Sequence, residues 1–99
     1  MDEEELSEMM NGLYAKTEEL ITAAEKALKD KNAKALAGRG HDLYGMTANF
    51  GLTTISALAK DLNRQAKENA PFETLTEIVA QLRPAYKDTR RAIDVWAKP

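Results

Sequence analysis

The sequence lacks several residue types that define other classes of protein. It contains no cysteine, which excludes disulfides and thiolate sites and suits a reducing compartment. No apolar run approaches the ~20 residues that cross a membrane. The start of the chain is acidic at residues 2–5, whereas a secretory signal peptide begins with a basic region. We therefore expect a cytoplasmic protein with no membrane partner.

Charge and metal-ligand content exclude two further classes of function. The 99 residues include 14 basic and 16 acidic side chains, and the net charge of −2 argues against nucleic acid as a partner. A single histidine without cysteine does not make a zinc site, and no acidic run resembles a calcium-binding loop. We expect no metal bound to this chain.

What the chain does contain is helical periodicity. With 43% hydrophobic and 30% charged residues, it is long enough for one domain, residues 1–99, around one modest core. Apolar residues recur at spacings of three and four, and no segment alternates as a strand does. The first predicted helix has its stripe at Leu6, Met9, Met10, Leu13, Leu20, Ile21, Ala24 and Leu28. The second has Leu36, Gly40, Leu43 and Thr47, with Phe50 just beyond and Gly51 as the C-terminal stop.

Two more helices follow at similar spacing. The third has its apolar stripe at Ile55, Leu58, Ala59, Leu62 and Ala66. The fourth begins at Pro71 and keeps its register through Leu75, Ile78, Val79, Leu82, Tyr86, Thr89, Ile93 and Trp96. Pro84 is expected to kink this helix without dividing it, because the register continues past the proline. Short connections then predict an all-α fold, an antiparallel up-down-up-down four-helix bundle.

The histidine, His41, lies among glycines in the second predicted helix. Gly38, Gly40 and Gly45 each cost a helix about 1 kcal/mol relative to alanine, so their presence indicates that something approaches the backbone closely. Helical geometry directs His41 roughly 130° away from the apolar stripe, and we expect it to be exposed. Small residues dominate the turns on either side, which lets a partner surface lie flat against them.

The segment from His41 to Asn63 resembles the histidine-containing phosphotransfer (HPt) domains of bacterial and fungal phosphorelays. It is also similar to the amino-terminal phosphotransfer domain of chemotaxis histidine kinases. The family pattern is histidine, any residue, leucine, lysine and glycine, then a second glycine six residues later and a helix with spaced leucines. The matching positions here are His41, Leu43, Gly45, Gly51, Leu58 and Leu62.

This resemblance implies that His41 accepts a phosphoryl group in two-component signalling. The group would come from a histidine kinase or a receiver aspartate and pass to a response-regulator receiver domain. Imidazole suits this chemistry because it is nucleophilic in its neutral form near pH 7. In this family Mg²⁺ and most catalytic groups belong to the receiver, so the chain would be a phosphoryl carrier without a cofactor of its own. The resemblance fits a separate protein and a domain of a larger kinase equally well.

The resemblance also implies a docking surface for the receiver around the histidine. The residues expected to contact the partner are Ala37, Gly38, Ala48 and Leu52, with Tyr44 and Gly45 beside His41. A bulky change such as Gly45→Glu is expected to block this surface without disturbing the fold. We expect the chain itself to be a monomer.

Two positions depart from the family pattern. The lysine three residues after the histidine is replaced by Tyr44, whose phenol is a weaker hydrogen-bond donor than an ammonium. Lys60, Lys34 or Arg39 could supply the missing charge. Asn63 stands where the family has glutamate or glutamine, the residue that bonds the second ring nitrogen and fixes the tautomer.

Two other interpretations remain open on the sequence alone. The chain could be a degenerate HPt-like adaptor that binds receivers without being phosphorylated. It could also be an unrelated four-helix interaction module in which His41 has no special role. Acid-labile phosphate on His41 distinguishes the phosphotransfer domain from both.

Overall fold

Four helices make up most of the chain in the computed structural model, which describes residues 2–50 and 52–97. They are α1 (Glu3–Lys29), α2 (Ala33–Ala48), α3 (Thr53–Lys67) and α4 (Phe72–Ala97). Helices α1 and α3 each contact α2 and α4, so the four are arranged in a ring. The described ranges contain no strand, and none of their helices combines the length and apolarity needed to cross a membrane. The prediction of an all-α four-helix fold is confirmed.

Local capping signals fix where the first two helices begin. The Asp2 carboxylate accepts a hydrogen bond from the Glu5 amide at 2.8 Å, which caps α1. The Asn32 side chain accepts one from the Ala35 amide at 3.0 Å and caps α2 in the same way. Between them Lys31, in the short connection from α1 to α2, adopts a left-handed backbone with φ of 53°.

The core is built from the predicted apolar stripes of all four helices. Its largest fully buried aliphatic side chains are Ile21, Leu36, Leu43, Ile55, Leu62, Leu75 and Leu82. Two threonines are buried among them, and their hydroxyls donate to carbonyl oxygens one turn earlier. Thr17 donates to Leu13 and Thr47 to Leu43, each at 2.7 Å, so both buried hydroxyls are satisfied.

Three residues predicted to pack in the core are exposed instead. Leu6 and Met9 are 45% and 37% exposed, because α1 has 27 residues and extends beyond the 16 residues of α2. At 1.5 Å per residue the difference amounts to roughly 16 Å of helix with less cover. Phe50 is 43% exposed because α2 ends at Ala48, which leaves Phe50 in the connection to α3.

The remaining sequence predictions on the fold concern one helix end, one side chain and one proline. Helix α2 ends with Asn49 as its C-cap, and the predicted stop at Gly51 lies outside the described residues. The side chain of Trp96, predicted to pack in the core, also lies outside the described part. Helix α4 is continuous from Phe72 to Ala97 with Pro84 inside it, so the proline does not divide the helix.

An ion pair joins α1 to α4 on the side of the bundle away from α2 and α3. Arg83 donates from Nε to Glu25 Oε2 at 3.1 Å and from Nη2 to Glu25 Oε1 at 2.7 Å. The same Nη2 donates to the Thr22 hydroxyl at 3.2 Å. The hydrogen bond from Arg83 lowers the pKa of Glu25 from its ordinary value. This contact therefore favours the charged carboxylate in the folded state.

Candidate functional site

His41 lies on the exposed face of α2, in the second half of the helix. The apolar stripe of α2 turns Leu36, Leu43 and Thr47 into the core, and His41 falls outside that stripe. The exposure predicted from the helical angle is therefore confirmed. An imidazole in this position is accessible to another protein without any rearrangement of the bundle.

Gly40 has a packing role inside the molecule. A Cβ atom built on Gly40 would lie 2.8 Å from both the Ala59 carbonyl oxygen and the Asn63 amide nitrogen. These are main-chain atoms of α3 that cannot move aside independently. Helix α3 is therefore what approaches the backbone at Gly40, and it contacts α2 directly behind His41.

Gly38 and Gly45 are different, because a Cβ atom on either would meet nothing within 4 Å. Neither is required by packing within the described chain, although each costs the helix about 1 kcal/mol relative to alanine. Gly45 is exposed one turn after His41, and Ala48 is exposed two turns after it. Together Gly38, Gly45 and Ala48 leave a surface without bulky side chains around the imidazole, which we name the small-residue surface.

Two of the expected partner-contacting residues are less accessible than the sequence suggested. Ala37 is only 8% exposed and belongs to the core, because α3 packs against this turn of α2. Leu52 is half-buried and packs against the core at the start of α3. The accessible part of the predicted docking surface is therefore centred on the small-residue surface and Tyr44, which is 37% exposed.

Asn63 makes a contact that the sequence analysis did not anticipate. Its Nδ2 donates to the main-chain carbonyl oxygen of Ala37 at 2.7 Å. The expected bond was to the imidazole of His41, and the family-like role of fixing the ring tautomer stays a prediction for Asn63. The observed bond instead connects α3 to the helical turn that leads into His41.

Tyr44 and Lys60 lie close to each other. The Lys60 ammonium is 5.9 Å from the centroid of the Tyr44 ring, within the range of a cation–π contact. Tyr44 follows His41 by one turn on the same helix and Lys60 comes from α3. The tyrosine that replaces the family lysine thus has a positive charge next to it, brought by the neighbouring helix.

A cavity of about 550 Å³ opens beside His41 along the contact between α2 and α3. We name it the α2–α3 groove; its polar and charged lining residues include Lys34, Arg39, His41, Asp42, Asn63 and Lys67. Lys67 did not emerge from the sequence, although it follows Asn63 by one turn on the same helix. The described residues contain no group of three or more histidine, cysteine, aspartate or glutamate side chains that could hold a metal ion.

A comparison with known protein families gives a match over most of the chain. The sequence model of the Hpt domain matches residues 8–92, which is most of the chain. No curated protein and no solved structure gives a significant match. The matched range includes α2 with His41, all of α3, and the parts of α1 and α4 that pack against them. The chain therefore belongs to the Hpt domain family, whose members have a histidine phosphotransfer role in phosphorelays.

Proposed function

We propose that this domain carries a phosphoryl group on His41 in a two-component phosphorelay. The observation that carries the proposal is the accessible imidazole of His41 beside the small-residue surface, in a chain of the Hpt family. An imidazole nitrogen, Nε2 in our proposal, attacks the phosphorus of an aspartyl phosphate on a receiver domain. The bond between phosphorus and the aspartyl oxygen breaks, and the aspartate leaves as a carboxylate. Transfer to a second receiver is the reverse step.

The chain itself supplies the nucleophile and its surroundings. Lys60, next to Tyr44, is our candidate for stabilising the negative charge of the transferred group. Mg²⁺ and the acid–base groups are expected on the receiver, so the domain is a carrier and depends on its partner for catalysis. The bond from Asn63 to Ala37 supports a positioning role for Asn63 behind the histidine.

The receiver docks on the small-residue surface in this proposal. Gly38, Gly45 and Ala48 provide close approach, and Tyr44 and the accessible part of Leu52 provide apolar contact. A histidine kinase would reach the same imidazole from the same side. We propose that residues 1–99 form one domain that acts in the cytoplasm. We also propose that it is a monomer, since neither proposed partner requires a second copy.

The antiparallel order of the helices is part of the same proposal. Glu25 pairs with Arg83 while Glu18, two turns earlier in α1, is 3.6 Å from Arg90, two turns later in α4. Contacts that run in opposite directions along the two helices support an antiparallel α1 and α4. The predicted kink at Pro84 is retained as a proposal for α4.

The test is phosphoryl transfer from a panel of phosphorylated receiver domains to the wild type and to His41→Gln. We expect label on the wild type alone, labile to acid and stable to alkali, as phosphohistidine is. Phosphoramidate, a small phosphoryl donor, provides a partner-independent assay of the same residue. Absence of label on the wild type from every receiver and from phosphoramidate would falsify phosphoacceptance.

A second candidate function is an adaptor that binds receivers without accepting phosphate. Tyr44 in place of the family lysine favours it, as does the use of Asn63 to bond a main-chain carbonyl. The two candidates differ in one measurement, because an adaptor binds receivers while His41 stays unlabelled.

A further inference from the structure

The α2–α3 groove carries two lysines that the phosphotransfer step does not use. Lys34 lies in the first turn of α2 and Lys67 in the last turn of α3, and both line the groove that opens beside His41. They belong to different helices, yet the fold brings them to one cavity of about 550 Å³. The groove therefore continues from the imidazole to a pair of positive charges.

The charges in the groove do not cancel. Arg39 is neutralised locally, since its Nη2 lies 3.3 Å from Asp42 Oδ2. Lys34 and Lys67 are exposed, and within residues 2–50 and 52–97 neither has a carboxylate oxygen within 4.0 Å. A chain with a net charge of −2 thus presents a locally positive groove next to its proposed nucleophile.

Lys34 is set back along α2 from the phosphoryl group itself. Lys34 precedes His41 by seven residues, which is about 10.5 Å along a helix. The side chains of Lys34 and His41 both lean toward the N-terminus of α2, so their separation persists at the tips. The positive charge in this part of the groove therefore suits a negatively charged group of the bound protein that lies away from the reacting atoms.

We propose that the α2–α3 groove binds an acidic segment of the receiver that exchanges phosphate with His41. Lys34 and Lys67 then determine which receivers associate rapidly. Complementary charge acts mainly on the association rate and on partner choice, and salt screens it over about 10 Å at 0.1 M. This inference rests on the proposed phosphotransfer function and adds to it the chemistry of the partner surface.

The experiment compares two double variants with the same change in net charge. Lys34→Glu/Lys67→Glu reverses the groove, and Lys26→Glu/Lys87→Glu reverses two exposed lysines on α1 and α4. Association with a panel of response-regulator receiver domains is followed by stopped flow at low and high salt. We expect the groove variant to associate about tenfold more slowly at low salt, with the difference disappearing at high salt. The control should stay close to the wild type.

A second assay separates this inference from the function on which it rests. Phosphoramidate phosphorylates histidine directly, because the ring nitrogen attacks phosphorus, the P–N bond breaks and ammonia leaves. The control variant should be labelled on His41 at the wild-type rate, and the groove variant should still be labelled on the same residue. The milder Lys34→Gln/Lys67→Gln variant should show an intermediate association rate, and it replaces the glutamate variant if circular dichroism shows that the latter is unfolded.

Three outcomes would overturn the inference. They are equal slowing in both double variants, unchanged association in the groove variants, and no binding of the wild type to any receiver of the panel. In each case labelling of His41 by phosphoramidate would leave phosphoacceptance intact. If His41 is labelled neither by phosphoramidate nor by receivers, the proposed function itself fails, and the inference fails with it.

Discussion

Asn63 donates a hydrogen bond from Nδ2 to the main-chain carbonyl oxygen of Ala37 at 2.7 Å. Ala37 precedes His41 by four residues, so in an α-helix its carbonyl oxygen is also the acceptor for the His41 amide. Next to this bond Gly40 lies against the α3 backbone. The turn of α2 that presents the imidazole is thus held from behind by α3, although the imidazole itself is exposed.

Removal of the Asn63 amide should loosen this turn. We expect Asn63→Ala to lower the free energy of unfolding by about 1 kcal/mol, because a part-buried hydrogen bond is lost. Urea denaturation measures the change. The control is Asn49→Ala, which removes a similar bond to the Gly45 carbonyl at 3.0 Å on an exposed surface, where water can replace it. An equal loss of unfolding free energy in the two variants would show that the bond between α2 and α3 stabilises the protein no more than the exposed bond does.

Gly40 should tolerate no side chain, whereas other glycines of the helices should. Gly40→Ala places a methyl group 2.8 Å from α3 backbone atoms and should destabilise the protein by about 2 kcal/mol through overpacking. Gly38→Ala and Gly12→Ala meet nothing within 4 Å and should stabilise it by up to about 1 kcal/mol, as alanine favours the helix. Thermal and urea denaturation of the three variants gives the comparison. A stabilising Gly40→Ala would contradict the close approach of the two helices.

The sequence was sufficient for those features that depend on one helix at a time. The stripe through Leu36, Leu43 and Thr47 follows from spacing alone, and the angle between it and His41 predicts that the histidine is exposed. Helix lengths were harder to obtain. Leu6 and Met9 continue the stripe of α1 correctly, but the shorter α2 leaves them exposed.

Features that depend on how two helices meet did not follow from the sequence. The bond from Asn63 to Ala37 requires the register and separation of α2 and α3, which no pattern within either helix encodes. The same holds for Lys67, which lines the groove with Lys34 although 33 positions separate them in the chain. The glycine at position 40 was the one local signal of the close approach.

The ion pair between Arg83 and Glu25 should make stability depend on pH in the acid range. Arg83 lowers the pKa of Glu25 below its ordinary value of 4.5, so the folded protein binds fewer protons there than the unfolded chain. The stabilisation is present above that value and is lost as the pH falls through the lower folded pKa. Because the pair is partly exposed, we expect it to contribute at most about 1 kcal/mol.

Denaturation at pH 7 and pH 3 tests this dependence. Between these values the wild type should lose more stability than Glu25→Gln, which has no carboxylate to protonate at that position. Glu19→Gln is the control, because Glu19 forms an exposed pair with Lys16 at 3.6 Å within one helix. If Glu25→Gln loses as much stability between pH 7 and pH 3 as the wild type does, the pair of Arg83 and Glu25 is not a cause of the pH dependence.

Lys60 should assist phosphoryl transfer to His41 through its position beside Tyr44. Lys60→Gln removes the positive charge held 5.9 Å from the Tyr44 ring centroid. We expect the rate of transfer from a receiver to fall about fivefold, which corresponds to ~1 kcal/mol of lost charge stabilisation. Lys60→Arg should retain most of the rate, and Lys29→Gln on α1 serves as a distant control. Equal rates for the two glutamine variants would assign no role to Lys60.

Gly45→Glu should separate receiver docking from the chemistry of the histidine. Gly45 is exposed, and nothing lies within 4 Å of a Cβ built there, so the variant should fold with at least wild-type stability. A glutamate one turn after His41 obstructs the small-residue surface and opposes the approach of an anionic phosphoryl group. We expect transfer from a receiver to fall about a hundredfold, the range of close like-charge repulsion across an interface.

The size of the phosphoryl donor shows which of these two effects dominates in Gly45→Glu. Phosphoramidate is small enough to reach the imidazole past the new side chain, so His41 should still be labelled, at a rate reduced only by charge repulsion. Gly12→Glu adds the same residue at an open, exposed glycine of α1 and should leave both reactions unchanged. If Gly45→Glu accepts phosphate from a receiver at the wild-type rate, the partner does not approach over Gly45. The glycine would then need another explanation than docking, because the packing of the described helices does not require it.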